Sequence, residues 1–469
     1  MRQDDYRDMD LVAQLDCIFN PRAVAVIGAS ANPEKPGFMC MTSLVRDGFK
    51  GKIYPVNPGL SELFGLKAYP SILAIPEDID LAVVVIPAEQ TISVIEECIV
   101  KGIKGAILVS AGFREVGSET GLSLQATLQE IANRGGIKIV GPNTLGLINP
   151  RANLNATFQP GLGLSKIGNV SVVSQSGGMC IYLINALTSN NVGISKVMGI
   201  GNRCNLDFDE VVAYLAQDNE TRVIVLYIEG IEQPKRLMRI ARKVAKQKPI
   251  LVYKGGRTQE SNRATLSHTG ALAGKYELYK AAFTQSGMMI VDTMTELVDM
   301  TKALVFQPSL ASDRVAVLSL QAGPGIIIAD KCREFGLRLA ELSPTTRQRL
   351  RHFISPLLSI DSPVDMAWTG SNFDSSREIL RAVLEDDGVD AVVVAFISFE
   401  LSGELPKAII DVARHSIKPI LVCQGAPDAA ASVTKALEDA NIPVYPFPDR
   451  AVTGLAGLLR YGSILKTID

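Results

Sequence analysis

The residue best suited to carry a chemical group in this 469-residue chain is a histidine at position 268. His268 is one of only three histidines, and it lies in the run Ser-His-Thr-Gly at residues 267–270. A neutral imidazole is nucleophilic near pH 7 and can accept a phosphoryl group as a covalent intermediate. An ordinary loop histidine explains the spacing equally well. His352 and His415 fall in predicted amphipathic helices, where surface positions are expected.

A run of small and polar residues could bind the phosphate on such a histidine. The run follows a predicted strand, residues 170–173, and begins a predicted helix. Backbone N–H groups at a helix start can bind an anion, and the helix dipole would stabilise a phosphate there. A corner that needs glycine only for tight packing explains the run equally well. Its residues are Ser174, Gln175, Ser176, Gly177 and Gly178.

A carboxylate is placed where it could orient the histidine. Glu229 follows the predicted strand 223–228, and the carboxyl ends of strands line ligand crevices in open α/β sheets. Glu229 could accept a hydrogen bond from the ring nitrogen that does not carry phosphate, which would fix the tautomer and raise the nucleophilicity of the ring. The alternative is an exposed acid in a loop.

A nucleotide site is predicted at the first strand-to-helix corner, residues 28–37. A strand that ends in glycine and a helix that starts near Phe38 would bring backbone N–H groups to a pyrophosphate. The second strand ends in Asn57 and lacks the carboxylate that holds the ribose of NAD. A lysine in the corner could meet an extra phosphate, which favours CoA over NAD; a nucleotide fold with a decayed site is the alternative. The corner supplies Gly28, Ala29, Ser30, Lys35 and Gly37.

Three strand-to-helix openings position these residues. Short apolar runs at residues 23–27, 170–173 and 315–320 are each followed by a Gly-rich corner and a helical pattern. Such strands are typical of parallel sheets that helices cover on both faces. The fold class is therefore predicted to be α/β, with three doubly wound domains. The predicted domains are residues 1–150, 151–310 and 311–469.

The second and third domains look like a divergent repeat that differs at one strand end. Strands at 223–228 and 391–396 each lead to a helix and then to another strand with a Gly corner. In the third domain this corner passes almost directly into a helix near residues 429–440. In the second domain an insertion at residues 257–274 intervenes, and it contains His268. Loops beyond the needs of a scaffold tend to be functional.

Composition and charge argue against several classes of protein. A net charge of −2 gives no basic surface for nucleic acid or an acidic membrane, and no apolar run is long enough to span a bilayer. The first ten residues lack the apolar core of a signal peptide. Seven cysteines without C-x-x-C spacing indicate free thiols in a reducing compartment. We expect a cytoplasmic protein with no nucleic acid, membrane or metal site.

The chain resembles the α subunits of ADP-forming acetyl-CoA synthetases, which are relatives of the α subunit of succinyl-CoA synthetase. The resemblance covers essentially the whole chain, in order, and is carried by many short motifs. These are residues 24–30, 35, 37, 51–58, 80–87, 105–112, 141–143, 145–146 and 154–158 for the first domain, 174–177, 201–202, 214–215, 227–230, 267–270 and 272–274 for the second, and 323–325, 342–343 and 363–365 for the third.

The resemblance implies an N-terminal Rossmann-like CoA-binding domain followed by two flavodoxin-like, succinyl-CoA synthetase-like domains. It implies that acyl-CoA, ADP and phosphate are converted to a carboxylic acid, ATP and CoA through an acyl phosphate and a phosphohistidine at His268. Glu229 would hold the histidine, and residues 174–178 would hold its phosphate. Further CoA contacts are implied at Asn57, Pro87, Ser110 and Asn143.

The resemblance also implies a partner. ATP-grasp domains are not found in the sequence, so a separate ATP-grasp β subunit is expected to bind ADP or ATP with Mg²⁺, in a doubled αβ assembly. Departures from the family pattern, such as Thr144 and residues 366–370, leave the acyl group open. Two other functions remain on the same scaffold: a nucleotide-independent acyl or carbamoyl transferase, and a non-catalytic CoA sensor.

Overall fold

In the part of the chain that the structure describes, three sheets of mainly parallel strands and one small hairpin form the fold. The computed structural model describes residues 3–258, 260–261, 275–397, 404–425 and 430–467. The chain divides into two compact units, Met1–Val291 and Asp292–Asp469. The first two sheets lie in the first unit, and the third sheet lies in the second unit.

The first sheet consists of five parallel strands with buried apolar side chains. Its strands and the hairpin within it are β1 (Ala23–Ile27), β2 (Lys52–Val56), the antiparallel pair β3 (Glu62–Leu63) and β4 (Leu66–Lys67), β5 (Leu81–Val84), β6 (Gly105–Leu108) and β7 (Lys138–Val140). The order across the sheet is β2-β1-β5-β6-β7. Because the chain passes from β1 to β2 on one side and later to β5 on the other, the switch point that binds ligands in such sheets lies at the carboxyl end of β1.

The second sheet has seven strands. They are β8 (Gly146–Asn149), β9 (Leu154–Thr157), β10 (Ile167–Ser174), β11 (Ile194–Gly199), β12 (Val223–Ile228), β13 (Ile250–Lys254) and β14 (Met289–Val291). The order is β14-β13-β12-β10-β11-β8-β9, and only β8 and β9 run antiparallel to their neighbours. Sequence analysis ended the first domain at residue 150, whereas strands on both sides of that position pair within the second sheet.

Helices in the first unit bury the apolar faces of both sheets. They are α1 (Gln3–Phe19), α2 (Pro36–Arg46), α3 (Thr91–Lys101), α4 (Glu119–Gly135), α5 (Gly177–Ser189), α6 (Phe208–Gln217), α7 (Pro234–Ala245) and α8 (Tyr276–Gln285). Helix α6 begins with a capping box in which Asp207 and Glu210 satisfy backbone N–H groups. The rings of Phe19 and Tyr214 stack with centroids 5.1 Å apart, which joins α1 to α6.

The second unit repeats the topology of the second sheet. Its strands are β15 (Arg314–Ser319), β16 (Arg338–Leu339), β17 (Val364–Asp365), β18 (Ala391–Ile397), β19 (Ile420–Gly425) and β20 (Val444–Tyr445), and its helices are α9 (Met294–Phe306), α10 (Ala322–Glu334), α11 (Pro344–Arg351), α12 (Phe373–Leu384), α13 (Glu404–Ala413), α14 (Ala431–Asp439) and α15 (Pro448–Thr467). The order β16-β15-β18-β19-β20 matches β11-β10-β12-β13-β14. The fold class predicted from the sequence, including the repeat, is confirmed.

Helix α9 explains why the second unit begins before residue 310. Asp299 in α9 forms an ion pair with Arg450 in α15, with 2.6 Å between Oδ1 and the guanidinium nitrogen. A Cβ atom at Gly457 would lie 2.8 Å from Cγ of Met300, so glycine lets the two helices approach closely. Packing therefore joins α9 to the later residues. The division into three domains near residues 150 and 310 stays a prediction.

Candidate functional site

The corner between β10 and α5 is built to present backbone donors. Ser174 Oγ donates a hydrogen bond to the Ser176 carbonyl at 2.7 Å and accepts one from the Ser176 N–H at 3.1 Å, which fixes the turn. Ser176 then caps α5 by accepting a bond from Met179 N at 3.4 Å. The position above Gly178 is open, because a Cβ there would meet only Ser176 Oγ, at 4.0 Å. The first turn of α5 can therefore face an anion.

Gln175 connects this corner to the end of β12. Its Oε1 accepts hydrogen bonds from the N–H groups of Glu229 at 3.0 Å and Gly230 at 3.1 Å. Its own N–H donates to the Tyr227 carbonyl at 3.1 Å. The side chain is 3% exposed, and its Nε2 has no hydrogen-bond partner within the part of the chain that the structure describes. Gln175 thus fixes the Glu229 backbone and retains a buried donor beside the corner.

Glu229 is a buried carboxylate, with only 8% of its surface exposed, so the alternative of an exposed loop acid is wrong. The Tyr227 hydroxyl lies near this side chain, since a Cβ added at Gly255 would be 2.6 Å from the hydroxyl oxygen and 3.5 Å from Cγ of Glu229. Burial, followed by the charge of Glu229, raises the pKa of Tyr227 well above its usual value. The Tyr227 hydroxyl therefore stays protonated at neutral pH.

Lys254, at the end of β13, is a buried cation that sequence analysis did not single out. Its register partner in β12 is Ile228, and its Nζ donates to the Gly255 carbonyl and lies 4.7 Å from the centre of the Tyr279 ring. Burial lowers its pKa to about 8, and the negative charge of Glu229 opposes that shift. Lys254 therefore contributes positive charge near Glu229 at neutral pH.

The structure describes two of the three histidines, His352 and His415. His268, the candidate phosphate carrier, lies outside the described residues, within the segment between residues 261 and 275. His352 follows α11 directly and is exposed, and His415 lies two residues beyond the end of α13 and is also exposed. Both fit the surface positions expected for them.

The first corner of the chain brings α2 onto the end of β1. Gly28 has a φ of +88°, and a Cβ there would lie 2.2 Å from the Val85 carbonyl oxygen. A Cβ at Gly37 would lie 2.0 Å from the carbonyl oxygen of Gly28. Only glycine fits at both positions. Lys35 is exposed at the N-cap of α2, and its side chain does not cap the helix. The start of α2 therefore has a lysine beside its backbone N–H groups, and both can interact with an anion.

Asn57 holds this corner in shape. Its Nδ2 donates to the Ala29 carbonyl at 2.7 Å, and its Oδ1 accepts from Gly59 N at 2.8 Å. Ser30 Oγ accepts a bond from Asn32 N at 3.1 Å within the corner. A cavity of about 350 Å³ opens beside Gly28 and Asn57 at the switch point of the sheet. Concave space with a few polar groups at a switch point is typical of a nucleotide site.

The remaining candidate CoA contacts lie along the same sheet edge. Ser110 donates through Oγ to the Ile86 carbonyl, and its own carbonyl accepts a bond from Asn143 N at 2.9 Å. Asn143 Nδ2 lies 3.5 Å from Oδ1 of Asn202, a residue that follows β11 of the second sheet. Pro87 is exposed at the end of β5. The structure therefore places every predicted CoA contact at the carboxyl edge of one sheet.

Polar contacts join the first sheet to the segment that follows β11 in the second sheet. Glu115, in the loop after β6, accepts a bond from Gly112 N at 2.6 Å and another from Asn202 Nδ2. Asn202 Nδ2 also contacts Gln125 Oε1 at 3.1 Å. Sequence reasoning missed Glu115, Tyr227 and Lys254. A lysine at the end of an apolar strand was the available signal for Lys254, whereas Glu115 lies farther along the loop after β6 and carried no such signal.

Within the described ranges, no helix is long and apolar enough to cross a membrane. The same residues contain no group of three or more His, Cys, Asp and Glu side chains arranged for a metal ion. All seven cysteines are free thiols.

Family models match the chain in three consecutive segments. Residues 22–150 match a CoA binding domain, residues 167–304 match a succinyl-CoA ligase like flavodoxin domain, and residues 315–453 match a ligase-CoA domain. These matches agree with the tightly packed glycines Gly28 and Gly37 at the switch point of the first sheet, and with the strand order that the second and third sheets share. The fold and the site therefore define a CoA-binding protein of the acid–thiol ligase class.

Relatives over the full length of the chain narrow this class to one family. The α subunit of acetate–CoA ligase [ADP-forming] II from Pyrococcus furiosus is 37% identical over 452 residues, which are 95% of this chain and 97% of that protein. Acetate–CoA ligase [ADP-forming] I from Archaeoglobus fulgidus is 37% identical over 96% of this chain and 64% of its own length. The phosphate and ADP complex of a dinucleotide-forming acetyl-CoA synthetase 1 from Ca. Korarchaeum cryptofilum superposes with a TM-score of 0.88 and 34% identity, covering 96% of this chain and 98% of that one. The chain belongs to the ADP-forming acyl-CoA ligase family.

Proposed function

We propose that this chain binds CoA and carries a phosphoryl group on His268 as one subunit of an ADP-forming acyl-CoA synthetase. Inorganic phosphate attacks the thioester of acyl-CoA, giving an acyl phosphate and free CoA. The imidazole of His268 attacks the phosphorus, and the P–O bond to the acyl group breaks to release the carboxylate. ADP then accepts the phosphoryl group from the histidine. In the reverse direction ATP activates the acid.

The hydrogen bonds that the backbone N–H groups of Glu229 and Gly230 donate to Gln175 Oε1 carry this proposal. They place a helix start that can bind phosphate next to a buried carboxylate that can accept a ring N–H. A phosphohistidine needs both, because its phosphate is anionic while its other ring nitrogen carries a proton. Neither a sensor nor a transferase that works without a nucleotide needs this pair, and the family relationship also favours the ligase.

The residues of the first site have separate parts in the proposed reaction. Backbone N–H groups at Ser176 to Gly178 and Nε2 of Gln175 would donate to the phosphate oxygens. The Glu229 carboxylate would hold the N–H of His268 and stabilise the ring while it carries phosphate. Splitting the transfer through a covalent carrier replaces one difficult step with two easier ones.

CoA would bind at the carboxyl edge of the first sheet. The glycine cradle at Gly28 and Gly37 fits the close approach of a pyrophosphate to the start of α2. Lys35 would meet a further phosphate, and the cavity beside Asn57 would take the adenine end. Ser110, Pro87 and Asn143 follow the edge toward Asn202 and would guide the pantetheine arm toward the second sheet.

The nucleotide would bind on a partner. The Pyrococcus furiosus relative is an α subunit of nearly the same length, and the Archaeoglobus fulgidus relative contains additional residues beyond those matched here. We propose an ATP-grasp β subunit that holds ADP or ATP with Mg²⁺, in a doubled αβ assembly in the cytoplasm. Mg²⁺ would be bound chiefly by phosphate oxygens and the partner.

Phosphorylation of His268 tests the proposal. The chain is incubated with a candidate ATP-grasp subunit, Mg²⁺ and γ-labelled ATP, and label that is acid-labile and base-stable is measured on the chain. We expect label on the wild type and none on His268→Asn, while His415→Asn, which changes an exposed histidine, labels normally. Absence of label on the wild type, with a partner shown to bind and CoA affinity retained, would contradict the ligase function.

A further inference from the structure

Two neighbouring residues in the loop after β6 contact the second sheet. The guanidinium of Arg114 donates through Nη1 to Oε1 of Glu232, and the two side chains form an ion pair. Next to it, the carboxylate of Glu115 accepts a hydrogen bond from Nδ2 of Asn202. Glu232 lies in the loop after β12, and Asn202 lies in the loop after β11. The loop after β6 is therefore tied to the carboxyl ends of two strands of the second sheet.

Hydrogen bonds and packing fix the turn that presents Arg114. Oε1 of Glu115 accepts bonds from the backbone N–H groups of Gly112 at 2.6 Å and Phe113 at 3.2 Å. The Phe113 side chain is fully buried in the core of the first sheet. The same loop begins with Ser110, one of the predicted CoA contacts. The position of the Arg114 side chain is therefore linked to that of the CoA loop.

Glu232 is held between two buried guanidinium groups. The Arg114 side chain is only 16% exposed, and its Nε and Nη2 have no hydrogen-bond partner among the residues that the structure describes. The side chain of Arg203 is fully buried, and its Nη2 lies 3.5 Å from the same oxygen of Glu232. A buried guanidinium is strongly unfavourable without an acidic partner. Glu232 is therefore the carboxylate that lets Arg114 stay buried in this position.

The loop after β12 is consequently fixed at two points. At its start, the N–H groups of Glu229 and Gly230 donate to Oε1 of Gln175, in the corner before α5. Three residues after Glu229, the side chain of Glu232 is held by Arg114 from the first sheet. The residue that would orient the histidine thus lies between an anchor in the phosphate corner and an anchor in the CoA loop.

We propose that Arg114 is a positioning residue for the transfer between phosphohistidine and acyl-CoA, because it fixes the loop of Glu229 relative to the loop of Ser110. This inference rests on the proposed function, in which Glu229 orients the histidine and Ser110 contacts CoA. Labelling of the histidine by ATP uses only the site in the second sheet. Discharge by CoA and an acid uses both sites, and a small displacement between reacting groups slows such a step steeply.

Two single variants, Arg114→Met and Glu232→Gln, test the inference in the complex with the partner subunit. The rate of labelling from ATP is measured first, and then the rate of discharge by saturating CoA with the acid that discharges the wild type fastest. We expect each variant to discharge about 10- to 100-fold more slowly, as loss of a hydrogen bond between charged groups predicts. Labelling should stay within about 3-fold of the wild type, because Gln175 still holds Glu229. CoA affinity should not change.

The double variant distinguishes this contact from separate effects of the two substitutions. Because Arg114→Met and Glu232→Gln remove the same contact, the two losses should not add, and the double variant should discharge about as slowly as the slower single variant. Arg151→Met is the matched control. Arg151 also pairs with a half-exposed glutamate, Glu220, but before β12, at the opposite edge of the second sheet. We expect wild-type rates of labelling and discharge for it.

Three results would overturn the inference while leaving the proposed function standing. One is wild-type discharge by both single variants. Another is equal slowing of labelling and discharge with a lower urea midpoint, which indicates general loosening. The third is fully additive losses in the double variant. If Arg114→Met does not fold, Glu232→Gln decides alone, because it changes a side chain that is 44% exposed. A wild-type chain that takes no label would overturn the proposed function and this inference with it.

Discussion

Oε1 of Gln175 lies 3.0 Å from the backbone nitrogen of Glu229, so the start of α5 and the end of β12 form one rigid site. Gln175 belongs to the corner that can bind phosphate, and Glu229 supplies the buried carboxylate. A change at position 175 should therefore affect both the binding of phosphate and the position of Glu229. Substitution by leucine removes the acceptor and the donor of the Gln175 side chain, whereas substitution by glutamate removes only the donor.

Gln175→Leu should destabilise the chain and slow phosphorylation. It leaves the buried N–H groups of Glu229 and Gly230 without their acceptor, which costs about 1–3 kcal/mol for each unsatisfied group. Gln175→Glu keeps the acceptor but loses the Nε2 donor and adds negative charge beside the phosphate. We expect it to keep these two hydrogen bonds, to lose stability at pH values where the new carboxylate is charged because it is buried beside Glu229, and to label at least about 10-fold more slowly. Urea unfolding and the rate of labelling measure the two effects.

The exposed Gln348 supplies the control for these variants. Gln348→Leu and Gln348→Glu should leave both measurements within error of the wild type. Normal labelling of Gln175→Glu would show that residue 175 has no part in binding phosphate.

Gly28→Ala should abolish CoA binding. Its Cβ would lie 2.2 Å from the Val85 carbonyl oxygen at a φ of +88°, so the corner or the segment after β5 would have to move. Gly65→Ala is a matched control, because Gly65 has a φ of +76° and no atom within 4 Å of an added Cβ. We expect Gly65→Ala to cost about 1–2 kcal/mol of backbone strain and to leave CoA affinity unchanged. Calorimetric titration with CoA would contradict the site if both variants bound equally well.

Lys35→Ala should weaken CoA binding without affecting stability, because the side chain is exposed. If Lys35 meets the 3′-phosphate, affinity for CoA should fall about 3- to 10-fold, as expected for one partly screened charge contact. Affinity for dephospho-CoA should not change. The exposed Lys50 provides the control variant, Lys50→Ala. Equal losses for CoA and dephospho-CoA would place Lys35 away from that phosphate.

Lys254 should make the free energy of unfolding depend on pH in the alkaline range. Its pKa is lowered by burial to about 8 in the folded chain, below the usual 10.5 of an exposed lysine. Between these values the unfolded chain binds more protons, so stability rises with pH, by at most about 1.4 kcal/mol per pH unit. The wild type should therefore gain urea resistance from pH 8 to pH 10 relative to Lys254→Met. Parallel urea midpoints for the two proteins over this range would contradict the assignment.

Sequence patterns predicted the strands and corners well because buried parallel strands are continuous apolar runs. Residues 23–27 and 223–228 are strands at the predicted bounds, and Glu229 follows the second of them as expected. Strands β8 and β9 were missed, since they are antiparallel and short, and β11, with which β8 pairs, is distant in sequence. Helix α9 joins the second unit through contacts to α15 that no local pattern reveals.

The candidate site was predicted residue by residue but not as an assembly. The sequence predicted Ser174 to Gly178 and Glu229 as site residues. The hydrogen bond from the Glu229 N–H to Gln175 could not be predicted, because it depends on the pairing of β10 with β12.

Discharge of the labelled chain tests the central claim most directly. The wild-type chain is phosphorylated with its partner, freed from nucleotide, and mixed with CoA and a panel of carboxylic acids. We expect one acid, or a small group of acids, to remove the label with formation of one acyl-CoA and one inorganic phosphate per label lost, and neither CoA nor acid alone to do so. Label that persists with every acid, or that is lost as phosphate without acyl-CoA, would contradict a phosphoryl carrier between nucleotide and acyl-CoA.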